Sequence, residues 1–533
     1  MKISAIALGL LLITGLVWYS RAGAAVYSRF LAMGTTITVT TTANTAANDG
    51  VCSLREAITA ANTNTVSGAA AGECAAGMAG MDTIVFNIGV GTPMINVTST
   101  LPTITEPVII DGNTGGATRV ELNGAGGGVN GLTITAGNST IKSLVINRFS
   151  QTGILINTNG GNIIQNCFIG TNAAGTVDLG NSINGIVLND GANNTIGGIA
   201  AGTGNVISGN NQDGILIGSG STNNIVQGNF IGTDVNGITA LGNSSQGVNI
   251  LTSVSGNTIG GSTTGARNIV SGNGDNGVRI GVGSSNNTVL GNFIGTNAVG
   301  TAAIPNLSRG VSINSAPSNT VGGAATGARN VISGNGQEGV FITGSLATGN
   351  AVQGNYIGTN AAGTAALGNG ADGVIIDSSS TGNTIGGASA AARNIISGNG
   401  QEGVRINGSS TTGNMVQGNY IGTNAAGTAA LGNGGRGVAV FNGANNTSIL
   451  NNLVSGQMLH GVDIAFGTSN CIVRGNLIGT NAAGTAAIGN GATGVLINLS
   501  SNNNTVGGTT ASDRNIISAN SGGGVGIGES STG

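Results

Sequence analysis

The sequence predicts an all-β fold, a single-stranded parallel β-helix solenoid, from three observations. The first is self-similarity at a fixed period. Ile-Gly-Thr-Asn, or its Asp form, starts at Ile169, Ile231, Ile294, Ile357, Ile421 and Ile478. The spacing is nearly constant, and only the last step is shorter. Such a period marks a solenoid, in which each repeat buries its apolar side only against its neighbours. The second is a Gly-aliphatic-x-aliphatic tetrapeptide that recurs twice per repeat, as at Gly310, Gly339, Gly373 and Gly403, with short and long intervals alternating. Two coils therefore make one repeat. The third is composition. Glycine, at 101 of 533 residues, and frequent Asn defeat helix interiors. Only 5 prolines interrupt the sheets.

One coil shows the elements in order. Val404-Arg405-Ile406 alternates in and out, as a short strand should. Asn407 to Gly413 is polar and turn-forming. Asn414 to Gln417 is a second strand, Gly418-Asn419 a corner, and Tyr420-Ile421 a third strand. Val404, Ile406, Val416 and Ile421 point inward and stack on their counterparts roughly 4.8 Å away in the next coils. One coil class carries Ala425 to Gly432 after its third strand; the other carries Ala388 to Arg393 between strands two and three. The coil from Gly131 ends already at Gly153 and that from Gly437 at Gly461, and these bare coils give the elementary turn.

Asn399, Asn419 and Asn424 fall at corners, where the pattern predicts internal Asn ladders, since an amide can bond its counterpart one coil away. Arg267, Arg329, Arg393 and Arg514 each precede Asn-(Ile/Val) at one point of the repeat, which suits a structural role.

Charged residues are 7% of the chain, against about 25% in an ordinary domain. Mean hydropathy is nevertheless +0.24 and net charge only −3, which excludes a disordered polyelectrolyte. The same weak charge gives nucleic acid no handle.

The N-terminus, residues 1–24, reads as a secretory signal: Lys2, the apolar run Ile3 to Val17, and Ala22-Gly23-Ala24 for cleavage. No membrane span is expected once it is removed. Residues 25–112 form the N-terminal cap and first coils, and 113–533 the repeats. Cys52 and Cys74 are expected to form a disulfide in an oxidising compartment. Cys167 and Cys471 lie many coils apart and read as small ladder fillers.

The first coil of a solenoid exposes a sheet edge and needs a cover. Ser53-Leu54-Arg55-Glu56 is a capping box, with Ser53 as N-cap and Glu56 at the third helical position. Leu54, Ala57, Ile58 and Ala61 give that helix its apolar face. Segments Thr36 to Thr41, Thr83 to Ile88 and Val108 to Asp111 are the strands expected around it.

Cys52-Ser53-Leu54-Arg55-Glu56-Ala57-Ile58, with Ile37 to Thr42 before it and Asp82 to Phe86 after it, resembles the CSLREA domain of secreted bacterial proteins. The rest resembles the right-handed β-helix repeats attached to that domain, with a pectin lyase-like fold. The resemblance implies a secreted or cell-surface protein and right-handed coils; it implies no activity. Thr532-Gly533 ends the chain at the offset where Thr381-Gly382 precedes another strand, so the natural protein is expected to continue.

Chemistry is expected on the outer face of the strands. The column before each Gly reads Arg309, Glu338, Asp372, Glu402, Arg436 and His460 in consecutive coils. Stacked carboxylates repel, raise each other's pKa or recruit a cation. Glu338, Asp372, Glu402 and Arg405 are therefore the catalytic candidates, and Glu338, Asp372 and Glu402 the candidate Ca²⁺ ligands; Asp463 lies nearby. A solvated corner accounts for the same column, and Glu338 and Glu402 sit in near-copies, Ile332 to Gly339 and Ile396 to Gly403. No other cofactor is indicated. The leading reading is a non-catalytic adhesion, scaffold or glycan-contacting rod. The alternative is a Ca²⁺-assisted polysaccharide lyase or a glycoside hydrolase acting on an extended polymer. The regular Thr column of an ice- or mineral-binding face is absent, and no feature fixes an oligomeric state.

Overall fold

The computed structural model describes residues 33–528 and 530–532. The predicted leader lies outside them. The chain winds into a single-stranded, right-handed parallel β-helix, the hand that parallel crossover connections take. Among the described residues, three parallel sheets run the length of the rod with 16, 15 and 14 strands. Sheet 1 runs from Met33–Val39 to Thr505–Val506, sheet 2 from Met94–Asn96 to Ile516–Ile517, and sheet 3 from Leu132–Ile134 to Val525–Ile527.

Register is in phase along the repeats, and the first strand pair shifts between Met33 and Thr36. Val374 pairs with Val404 and Ile376 with Ile406 on sheet 3, Ile385 with Val416 on sheet 1, and Ile396 with Ile421 on sheet 2. All these side chains are 0% exposed. Burial of each is worth about 1.5–3 kcal/mol. β-branched residues dominate because each inward position is one rung of an aliphatic stack.

The corners are closed by Asn ladders. On one, Asn394 Nδ2 donates to Asn419 Oδ1 (2.9 Å), and Asn419 Nδ2 to Asn452 Oδ1 (3.1 Å). On the second, Asn369 Nδ2 donates to Asn399 Oδ1 (2.9 Å), with Gln457 standing in for one rung. On the third, Asn383 Nδ2 donates to Asn414 Oδ1 (3.1 Å). A buried amide left without a partner costs about 1–3 kcal/mol, so every coil depends on the next. Asn424 is not a rung: its Oδ1 accepts from the backbone N–H of Thr428 and pins its own insertion. Cys167 and Cys471 are buried free thiols on rungs, their N–H groups donating to Asn205 and Asn504.

The cap helix, α1, spans Leu54–Thr63 with the expected capping box: Ser53 Oγ accepts from Glu56 N, and Glu56 Oε2 from Ser53 N at 2.9 Å. Leu54, Ala57, Ile58, Ala60 and Ala61 are buried against the first strands. Cys52 and Cys74 form a disulfide. The strands beside α1 are Met33–Val39, Met81–Phe86 and Val108–Asp111. The first two begin earlier and end earlier than their Thr-rich patterns indicate, while the third matches its expected span.

Candidate functional site

Several of the residues before the Gly of sheet 3 have a backbone duty. Asn130 Oδ1 accepts from Thr152 N, Asp213 Oδ1 from Gln246 N, and Gln246 Oε1 from Asn276 N. Asp372 Oδ1 accepts from Glu402 N at 3.0 Å, and His460 Nδ1 from Thr493 N at 3.2 Å. At these rungs the column forms a ladder of mixed acceptors reaching the next coil's amide, which Glu338 and Glu402 do not join. Asp372 and His460 occupy rungs that Asn or Gln fill elsewhere.

The structure divides the candidate quartet. Glu338 turns back one coil, where its Oε2 accepts from Arg309 Nε at 2.8 Å. Asp372, Glu402 and Arg405 come together, joined by Arg436 and Asp463. Arg405 Nη2 lies 2.7 Å from Asp372 Oδ2, but off the line a hydrogen bond requires. Arg436 bridges two acids, Nη1 to Glu402 Oε1 at 3.1 Å and Nε to Asp463 Oδ2 at 2.6 Å. The corner is not the solvated one the sequence suggests. Asp372 is 0% exposed, Asp463 3% and Glu402 9%, while the guanidiniums lie above them. The ladder duty draws the acids inward, and the longer arginines close over them.

Burial, then the neighbouring Glu402 side chain, pushes the Asp372 carboxyl well above the usual carboxylate range against the pull of Arg405. Burial also raises Asp463, opposed by Arg436. Asp372 Oδ2, Asp463 Oδ1 and Arg405 Nε lack hydrogen-bond partners. The set does not fit Ca²⁺, which takes 6–8 oxygens in an open cage. Arg436 already holds Glu402 and Asp463, and Glu338 faces away. Among the described residues, no three His, Cys, Asp or Glu side chains converge as a metal site.

Sheet 2 carries a second arginine column, with a partner type that the sequence reading missed. The outward residue before Ile-Gly-Thr is aromatic in five of the six repeats, Phe168, Phe230, Phe293, Tyr356 and Tyr420, and is Leu477 in the sixth. Arg267 lies over Phe293 at 4.0 Å, Arg329 over Tyr356 at 4.0 Å and Arg393 over Tyr420 at 3.9 Å. Each Nε also donates to a glycine carbonyl, of Gly291, Gly354 and Gly418 respectively. The signal was spacing: Arg267 precedes Phe293, Arg329 precedes Tyr356 and Arg393 precedes Tyr420 by nearly the same interval. No carboxylate pairs with these three guanidiniums among the described residues.

The insertions wall this column in. On one side stands the Ala-Ala-Gly-Thr insertion, closed by bridges such as Thr359 to Ala366. Its Gly363, at φ +66°, has no room for a side chain: a Cβ would meet Tyr356 Cε2 at 2.9 Å. On the other side stands the 3₁₀ turn Ala390–Ala392, whose C-cap is Arg393. Between them run a cavity of about 710 Å³ holding Arg267 and Arg329, and one of about 550 Å³ holding Arg119 and Arg267. Arg267 borders both, so the two cavities follow one another along the groove of sheet 2.

No family model matches the chain, and no curated protein matches it. Among solved structures, the periplasmic alginate epimerase AlgG is similar at 12% identity, over 84% of this chain and 76% of that one, with a TM-score of 0.26. The A-module of the Azotobacter vinelandii mannuronan C-5 epimerase AlgE4 is similar at 14% identity, over 91% and 95%, with a TM-score of 0.31. Pectate lyase Pel9A is similar at 12% identity, over 85% and 81%, with a TM-score of 0.30. At these TM-scores the similarity decides nothing about activity.

Proposed function

We propose that this protein is a non-catalytic, exported rod that contacts an extended glycan along the groove of sheet 2. The observation that carries the reading is the burial of the acids. Asp372, Glu402 and Asp463 lie beneath arginines, and Asp372 spends an oxygen on a backbone N–H, so no carboxylate of the cluster can reach a glycosidic bond or a sugar proton. The groove is open and floored by rings and guanidiniums. Export is supported by the Cys52–Cys74 disulfide, which persists in oxidising compartments, and by the CSLREA-like motif. No helix among the described residues is long and apolar enough to cross a membrane.

The test pairs binding with turnover. The folded chain is run in affinity gels containing neutral or acidic polysaccharides. The same polymers are then assayed for reducing ends and unsaturated products, with and without calcium. Retardation without product is expected. Product formation that is lost in Asp372→Asn would overturn the reading.

A further inference from the structure

The sheet 2 column lacks its arginine at two rungs, Gly204 and Asn451, and only the first of these is followed by a ring, since Leu477 follows the second. Gly204 stands where Arg267, Arg329 and Arg393 stand in other repeats, each before Asn-(Ile/Val). The ring that an arginine there would cover, Phe230, has no guanidinium above it among the described residues and is half-buried. Phe168 and Phe293, by contrast, are each covered and 5% exposed. Arg119 lies 3.7 Å over Phe168, and Arg267 lies over Phe293. The cavity of about 550 Å³ opens between them, lined by Arg119, Phe168, Gly204, Phe230 and Arg267, with no acidic residue in its walls.

We infer that the gap at Gly204 is a seat for an acidic polysaccharide, with a sugar ring on Phe230 and anionic groups on Arg119 and Arg267. The inference rests on the glycan-contacting reading and adds its charge class. Strand order places Val206 between Phe168 and Phe230, and Ile269 between Phe230 and Phe293. Each covered ring is thus two coils, about 9.6 Å, from Phe230. A ligand that touches Phe230 and an arginine site at once must span that distance, which suits an extended polymer rather than a small anion. A bare aromatic face suits the C–H face of a sugar.

The arginines are held ready for an anion. Arg119 donates Nη2 to Asn166 Oδ1 at 2.6 Å and Nε to Asn166 O at 3.3 Å; Arg267 donates only Nε, to Gly291 O at 3.4 Å. A guanidinium carries five N–H donors in a rigid fork, so most remain for a carboxylate or sulfate. Burial alone lowers the pKa of Arg267 and leads the lowering at Arg119, so both are desolvated cations without a carboxylate partner.

The test measures affinity of the full chain for polygalacturonate, for dextran and for single-stranded DNA at fixed salt. Polygalacturonate is expected to bind and dextran to bind far more weakly. Arg119→Gln and Arg267→Gln should each weaken polygalacturonate binding about tenfold, the loss of one charged hydrogen-bonding group. Phe230→Leu should weaken it less, and Arg514→Gln, at the far end of the rod, should leave it unchanged. Far-UV circular dichroism checks that each variant keeps its β-helix. Unchanged affinity in both arginine variants, equal loss in Arg514→Gln, or tighter binding of DNA would overturn the seat. Binding of dextran but not polygalacturonate would also overturn it, yet leave the glycan-contacting rod standing. If the chain shortens polygalacturonate while the two arginine variants still bind it tenfold more weakly, the seat stands and the non-catalytic reading falls.

Discussion

Arg393 on sheet 2 and Arg436 on sheet 3 look interchangeable by sequence, and the molecule uses them in opposite ways. Both lie near an aromatic ring, Arg393 over Tyr420 at 3.9 Å and Arg436 over Phe441 at 5.1 Å. Arg436 is neutralised by two buried acids and closes a polar cluster. Arg393 has no acid partner among the described residues and borders an open groove. What surrounds a cation, rather than its identity or its ring, separates a structural clamp from a contact surface.

Truncating each arginine breaks the comparison most directly. Arg436→Ala strands Glu402 and Asp463 as buried charges, and removing one partner of a buried pair costs about 3–5 kcal/mol. Chemical denaturation should show that loss near neutral pH. Should the variant unfold at the same urea concentration as the parent, the clamp assignment is wrong.

Acidity offers an intermediate effect. Because the folded-state pKa of Asp372 is raised, the folded chain holds a proton that the unfolded chain has released. Stability is therefore greatest below the ordinary carboxylate pKa of about 4 and declines as pH rises through the raised value. Each tenfold gain in proton affinity on folding corresponds to about 1.4 kcal/mol. Asp372→Asn mimics the protonated form, so it should flatten this decline and match or exceed the parent at alkaline pH. A parent midpoint that rises between pH 4 and 8 would contradict the sign.

Arg393→Ala should show the smallest change. It forfeits one cation–π contact and one hydrogen bond to Gly418, together about 1 kcal/mol, and strands no charge. A loss as large as that of Arg436→Ala would erase the distinction between the two columns.

Much of the fold was legible because it is periodic. Inward Val404, Ile406, Val416 and Ile421 repeat at every coil, and the capping box of Ser53 and Glu56 declares itself within a single helical turn. Less of the candidate site could be read. Stacking placed Glu338, Asp372 and Glu402 in one column, but rotamers decide which way each leans, and Glu338 leans to Arg309. Nor could the column show that a carboxylate was doing an amide's work, since that required seeing Asp372 Oδ1 on the N–H of Glu402. Asn424 misled for a similar reason: an Asn at a corner can serve the next coil or its own loop. The arginines of sheet 2 were visible as a column, but their rings lie one coil further on, beyond the reach of local pattern.

The repeating amide ladders make length an adjustable property of this molecule. Each two-coil unit ends on the same rungs with which it begins, so a whole unit can be copied in or removed without disturbing the register of its neighbours. The near-copies Ile332 to Gly339 and Ile396 to Gly403 bear the mark of such copying. Every added unit lengthens the groove by about 9.6 Å and brings one more arginine–ring pair. On the proposed glycan-contacting reading the rod would act as a ruler: its number of units would set how long a stretch of polymer it holds, and multivalent contact would make affinity climb with that number.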